Sequence, residues 1–219
     1  MVTMRHLGLS TPSSARLHDD HRFRALLSAE DWGRLPVSIW RRFSKKLADG
    51  ATVVYVGEVD QAEISRAGFW FAHLARLIGG PLPTRADIGV PMIVAVTEDA
   101  ARGGQIWTRI CGRPHGFPQV IHSAKRFAGP TGLEEYLGWG LSMSLRVGVA
   151  DGALHFHGAG YTFDFAGRRW ALPAWLAPGD LTVTHSDLGS GVFRFSLEIT
   201  HPRFGRIIRQ SAVFRESTP

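Results

Sequence analysis

Phe193, Phe195, Leu197 and Ile199 alternate with Arg194, Ser196, Glu198 and Thr200. A period of two in β-branched and aromatic residues describes a strand with one buried face. The pattern recurs upstream, where Leu141, Met143, Leu145, Val147 and Val149 oppose Ser142, Ser144 and Arg146. From Trp139 to Arg215 the chain reads as five strands, at residues 140–149, 153–165, 181–185, 192–200 and 205–215. Asp151-Gly152 and Gly189-Ser190-Gly191 are hairpin signals between them. His201-Pro202 turns the chain into the last strand, since proline gives up a ladder donor.

The earlier part of the chain supplies helices and more strands. Residues 1–20 are rich in Ser, Pro, Thr and Arg and read as a flexible leader. Phe23, Leu26 and Leu27 follow at helical spacing, then Trp32. Pro36 opens a second helix with Ile39, Trp40, Phe43 and Leu47 on one face. Arg41, Arg42, Lys45 and Lys46 form its other, solvated face, and Asp49-Gly50 ends it. Residues 52–58 are a strand, after which Asp60 to Glu63 looks like a capping box. The helix behind it carries Ile64, Ala67, Phe71, Leu74 and Ile78 in one stripe, widened by Phe69, Trp70 and Leu77. A helix so nearly apolar all round must be buried or cover a cavity. Strand-like runs at 90–98, 105–112 and 119–127 complete the set.

With no βαβ spacing, this order predicts an α+β fold that is predominantly antiparallel β. About nine or ten strands must curl, as a curved meander sheet or an up-and-down, calycin-like β-barrel. N-terminal helices and a helix inserted after the first strand would close it, within one domain over residues 21–219.

Charge and cysteine content narrow the function. The formal net charge is +6, carried by three Lys and 22 Arg. The basic residues are scattered, whereas a nucleic-acid binder gathers them on one face among stacking aromatics. Cys111 is the single cysteine, which fits a reducing compartment, and cytoplasm is the default location. No run approaches the length of a membrane span, and residues 1–9 lack the apolar core of a signal peptide.

The candidate site residues lie on strands. His155 and His157, two apart, point the same way and could share a metal with His122, His185 or Glu198. The competing reading places both rings on the polar face of a strand, and no full ligand set is visible, so no metal or other cofactor is assigned. Trp107, Arg109 and Cys111 share one face, and Arg109, like Arg146 and Arg194, suits a ligand carboxylate or phosphate. Against this, arginines mostly face water. His122 and Ser123 point to opposite faces and cannot form a nucleophile pair, and there is no Gly-x-Ser-x-Gly elbow. Glu134-Glu135 reads as a solvated helical turn. Trp170, Pro173, Trp175 and Pro178 form a rigid corner, either core packing or a shelf at a pocket mouth.

Three segments carry a family likeness: FRALLSAEDWGRLPVSIWRRF at 23–43, the IWTRICGR run within 90–127, and LPAWLAP through FRFSLEITHPRFGRIIRQSAVF at 172–214. Together they resemble the bacterial domain of unknown function 4166 family. The likeness implies no established activity. Relatives are often fused to NAD(P)-binding reductase-like domains, which implies service to a reductase; this chain has no Gly-x-Gly-x-x-Gly of its own.

Three functions follow as expectations. The first is a binding domain for a small apolar or lipid-like, possibly anionic molecule, with a helical lid and with Trp107, Arg109, His122, Arg146, His155, His157 and Arg194 as ligand-binding candidates. The inserted helix gives a fold-level analogy to lipid-carrying barrels. The second is an enzyme using His122, His155 and His157 as an acid/base or metal site. The third is an accessory partner of a separately encoded reductase. The sequence shows no catalytic motif that would select the second.

Overall fold

The computed structural model describes residues 18–47 and 52–215. Among these residues thirteen strands form: β1 (His18–Asp19), β2 (Lys45–Lys46), β3 (Thr52–Ile64), β4 (Pro91–Asp99), β5 (Gly104–Cys111), β6 (Gln119–Arg126), β7 (Glu134–Gly138), β8 (Leu141–Ala150), β9 (Ala153–Phe165), β10 (Arg168–Ala171), β11 (Asp180–Gly189), β12 (Val192–His201) and β13 (Gly205–Arg215). The helices are α1 (Ala29–Arg34), α2 (Val37–Phe43) and α3 (Arg66–Leu74).

β3 to β9 and β11 to β13 pair antiparallel in sequence, and β13 returns to β3. Ten strands therefore close a barrel, with β10 outside on the flank of β9. Closure removes the free edges that an open sheet of this size would expose. The apolar alternates point inward: Phe193 and Ile199 of β12, Met143 and Leu145 of β8, Leu154 and Phe156 of β9 are all buried.

One seam is incomplete. β9 and β11 pair only from Leu154–His185 to His157–Thr182. Beyond that the two strands part, β10 takes the free side of β9, and the segment from Leu172 to Pro178 fills the gap.

Both barrel ends are closed by helices. At one end Phe23 packs edge-on against Phe43, Phe127 and Phe156, with centroids 5.1, 5.0 and 6.2 Å away. Arg22 fastens this plug by bonding Asp20, Glu98 and the carbonyl of Gly103. α3 lies at the other end, where Ser65 caps it by accepting from the N–H of Gly68 at 3.1 Å. Gly68 permits the seat, since a Cβ there would collide with the carbonyl oxygen of Ile207.

Four local expectations need correction. Asp60 to Glu63 do not cap a helix; they extend β3, because β13 offers them a ladder partner as far as Ile64. α2 ends at Phe43, and Lys45–Lys46 pair with β1 instead. Arg42 is not on a solvated face; it is buried, with its guanidinium 4.1 Å above the Phe193 ring. Glu134 and Glu135 open β7 and are buried, each facing a cation: Arg169 at 3.0 Å and Lys125 at 2.9 Å. The leader expected over residues 1–20 falls almost wholly outside the described residues, as does the expected stop at Asp49-Gly50.

His185 gives the α2 end a pH dependence. Its ring is fully buried, stacked on Phe195 at 4.4 Å, with Nε2 3.2 Å from a guanidinium nitrogen of Arg42. Arg42 can only donate, so Nε2 accepts and the imidazole is neutral, its Nδ1–H facing the Arg194 carbonyl at 3.4 Å. Burial first, and then the Arg42 charge, pull the pKa down to about 3, against the opposing pull of the Arg194 carbonyl and of Asp187. The folded value lies below the unfolded one, so the unfolded chain binds the proton first. This contribution is complete above pH ~6.5 and declines by up to about 1.4 kcal/mol per pH unit as pH falls toward 3. Urea unfolding at pH ~6.5 and pH ~5 should differ by about 1.6 kcal/mol. A stability curve flat across that interval would show that the ring is not held neutral.

Candidate functional site: a charged cluster in an apolar barrel

A cavity of about 340 Å3 lies inside the barrel at the α3 end. Phe71, Leu74, Ala75 and Ile78 roof it from α3 and the 3-10 turn Ala75–Ile78 that follows. Leu172, Trp175, Leu176 and Pro178 form its side at the open seam. Met143, Leu141, Leu181, Val183 and Leu197 supply the apolar wall. Of the corner expected from sequence, Trp175 and Pro178 line the cavity, with Trp175 75% exposed, while Leu172 and Ala177 of the same segment pack into the core. A smaller void of about 70 Å3 continues inward beneath Trp107, Phe156 and Phe195. Arg109 and Glu135 line both spaces and mark where they meet.

The polar floor is built by three neighbouring strands. Alternation on β5 turns Trp107 and Arg109 inward; on β6 it turns Ser123 and Lys125 inward, and β7 brings Glu135. Lys125 Nζ lies 2.9 Å from Glu135, and an Arg109 terminal nitrogen lies 3.7 Å from it. Arg109 also donates to Ser123 Oγ at 2.9 Å. Lys125 Nζ sits over the Trp107 ring at 5.0 Å and the Phe156 ring at 5.3 Å.

Burial would raise the Glu135 pKa. The charges of Lys125 and Arg109, with help from Ser123, outweigh it and hold the group at about 2. Glu135 is thus an anion at neutral pH, and by formal charge the Arg109–Glu135–Lys125 cluster carries one excess positive charge. Arg109 Nε is buried with no partner among the described residues. Arg126 and Arg194 share that feature, but Arg126 lies on the Tyr136 ring and Arg194 pairs with Asp60 at 2.8 Å. Burial pushes the Tyr161 phenol upward, so it stays a neutral donor on the cavity wall.

The barrel wall divides the residues singled out from sequence. Trp107 and Arg109 line the interior. His122 is exposed and meets Thr108 at 3.1 Å; Arg146 is exposed; Arg194 faces Asp60 outside. His155 and His157 stack at 5.8 Å on the outer face, each bound to a threonine of β11. His122 stands three strands away from them. Among the described residues no group of three or more His, Cys, Asp or Glu is placed to hold a metal. The sequence reading missed Ser123, Lys125, Glu135 and Tyr161. Alternation with Ile121 already put Ser123 and Lys125 on the hidden face of β6.

A closed antiparallel meander of ten strands defines an up-and-down β-barrel. The chain belongs to the family described as a domain of unknown function (DUF4166), whose model matches residues 35–214. No curated protein and no solved structure matches it significantly. No helix among the described residues is long and apolar enough to cross a membrane.

Proposed function

We propose that the protein binds one small apolar molecule bearing an anionic end, tail beneath α3 and head against Arg109. The observation that carries this is the excess positive charge of the Arg109–Glu135–Lys125 cluster at the floor of an otherwise apolar cavity. An arginine with unspent donors binds a carboxylate or phosphate in two places at once. Ligand sites are mostly apolar with a few converging polar groups, and begin near ~300 Å3.

Trp175, 75% exposed, marks a mouth through which a guest can enter the space. The space has room for about ten water- or methylene-sized groups.

Native mass spectrometry of the purified chain tests the proposal. The expected spectrum shows either a co-purified acidic lipid-like guest or uptake of one dodecanoate per chain. A bare mass that takes up no dodecanoate would overturn it.

A further inference from the structure

The end of the barrel that holds the cavity also carries an unusual outer surface. Trp70, Leu74 and Leu77 of the lid are 67%, 62% and 77% exposed. Trp139, in the β7–β8 turn, is 77% exposed and stands next to Gly138, whose Cα faces the carbonyl of Ile78. Trp175 and Leu176 project from the seam segment. Monomeric proteins rarely leave large apolar side chains gathered in this way without a partner for them.

The charges at the same end favour one kind of partner. Arg66 and Arg76 lie on the lid, Arg168 at the β9–β10 turn and Arg203 at the β12–β13 turn. All four are exposed and have no carboxylate partner among the described residues. The carboxylates nearby are mostly spent: Glu63 pairs with Arg206 at 2.9 Å, and Asp164 with Arg169 at 3.0 Å. Asp180 is the exposed carboxylate that remains. Tryptophans and leucines set among unpaired arginines match the interface of a bilayer bearing anionic headgroups.

We infer that this end docks on the surface of an anionic lipid bilayer, with Trp70, Leu77 and Trp139 entering the headgroup region. Leu74, Trp175 and Leu176 both line the cavity and face outward. A guest leaving past them would pass directly into the lipid. Docking does not depend on the cavity being a binding site, and the two fail separately.

The test is co-flotation of the whole chain with vesicles of phosphatidylcholine alone, and of phosphatidylcholine with phosphatidylserine at about 3:1. The expected result is binding to the mixed vesicles, weakened by salt, and little binding to phosphatidylcholine alone. The triple variant Trp70→Ser, Leu77→Ser, Trp139→Ser should reduce binding more than tenfold. Arg66→Ala with Arg76→Ala should reduce it about fivefold per residue. All five residues are exposed and none lines the cavity, so far-UV circular dichroism and the urea midpoint of every variant should match those of the unmodified chain and show that the barrel is folded. Absence of binding to the mixed vesicles, equal binding to both kinds, or binding that survives the triple variant would overturn the inference. So would self-association, or capture of a reductase, lost in the triple variant without any vesicle binding; either would give this surface to a protein.

Discussion

Glu135→Gln is expected to destabilise the fold by about 3–5 kcal/mol, a fall of roughly 6–20 °C in Tm. Glu135 is buried with Lys125, and removing one member of such a pair strands the other charge in a poor solvent. Here the penalty is compounded, because Arg109 faces the same carboxylate at 3.7 Å. The substitution conserves shape, so packing contributes little. It also raises the excess charge of the cluster by one. Added dodecanoate should therefore restore more stability to the variant than it adds to the unmodified chain, by mass action on the folded state. Urea unfolding with and without dodecanoate measures both effects. Unchanged stability would mean that the three groups do not form the charged unit described above.

Arg109→Met should act in the opposite way, on binding and not on the fold. Lys125 still neutralises Glu135, and methionine occupies much of the arginine stem's volume, so stability should shift by less than about 1.5 kcal/mol. The lost hydrogen bonds to a charged head are together worth about 1.5–3 kcal/mol, so dodecanoate affinity should fall roughly 10- to 150-fold. Dodecanol, which has the tail without the charge, should bind both forms alike. Titration calorimetry with the two compounds separates head from tail. Equal losses for acid and alcohol would place Arg109 in the wall and leave the anionic end without a partner.

The barrel was legible because its strands announce themselves. Alternation in β8, β9, β12 and β13, with Gly-containing turns between them, requires neither a known partner nor a known register. Besides the two-residue pair β1 and β2, two strands of the main sheet escaped. β7 has five residues and begins with two glutamates, and β10 has four exposed ones. Neither has an apolar face of its own; each is held by pairing, and by ion pairs of Lys125 and Arg169. The same cause hid Glu135, the acid of the charged cluster. Arg109 stood out beside Trp107, but Glu135 reads as a surface acid until β6 places Lys125 opposite it. The histidines attracted notice by their spacing. That spacing is equally the signature of a polar outer face, and His155 and His157 lie on one.

The most direct measurement is a crystal structure of the chain with dodecanoate carrying a terminal bromine, read by the anomalous signal. The account predicts bromine beneath α3, among Leu74, Trp175 and Leu176, and the carboxylate within hydrogen-bonding reach of Arg109. Bromine deep beside Trp107 with the carboxylate at the mouth, or no ordered ligand in the cavity, would contradict it.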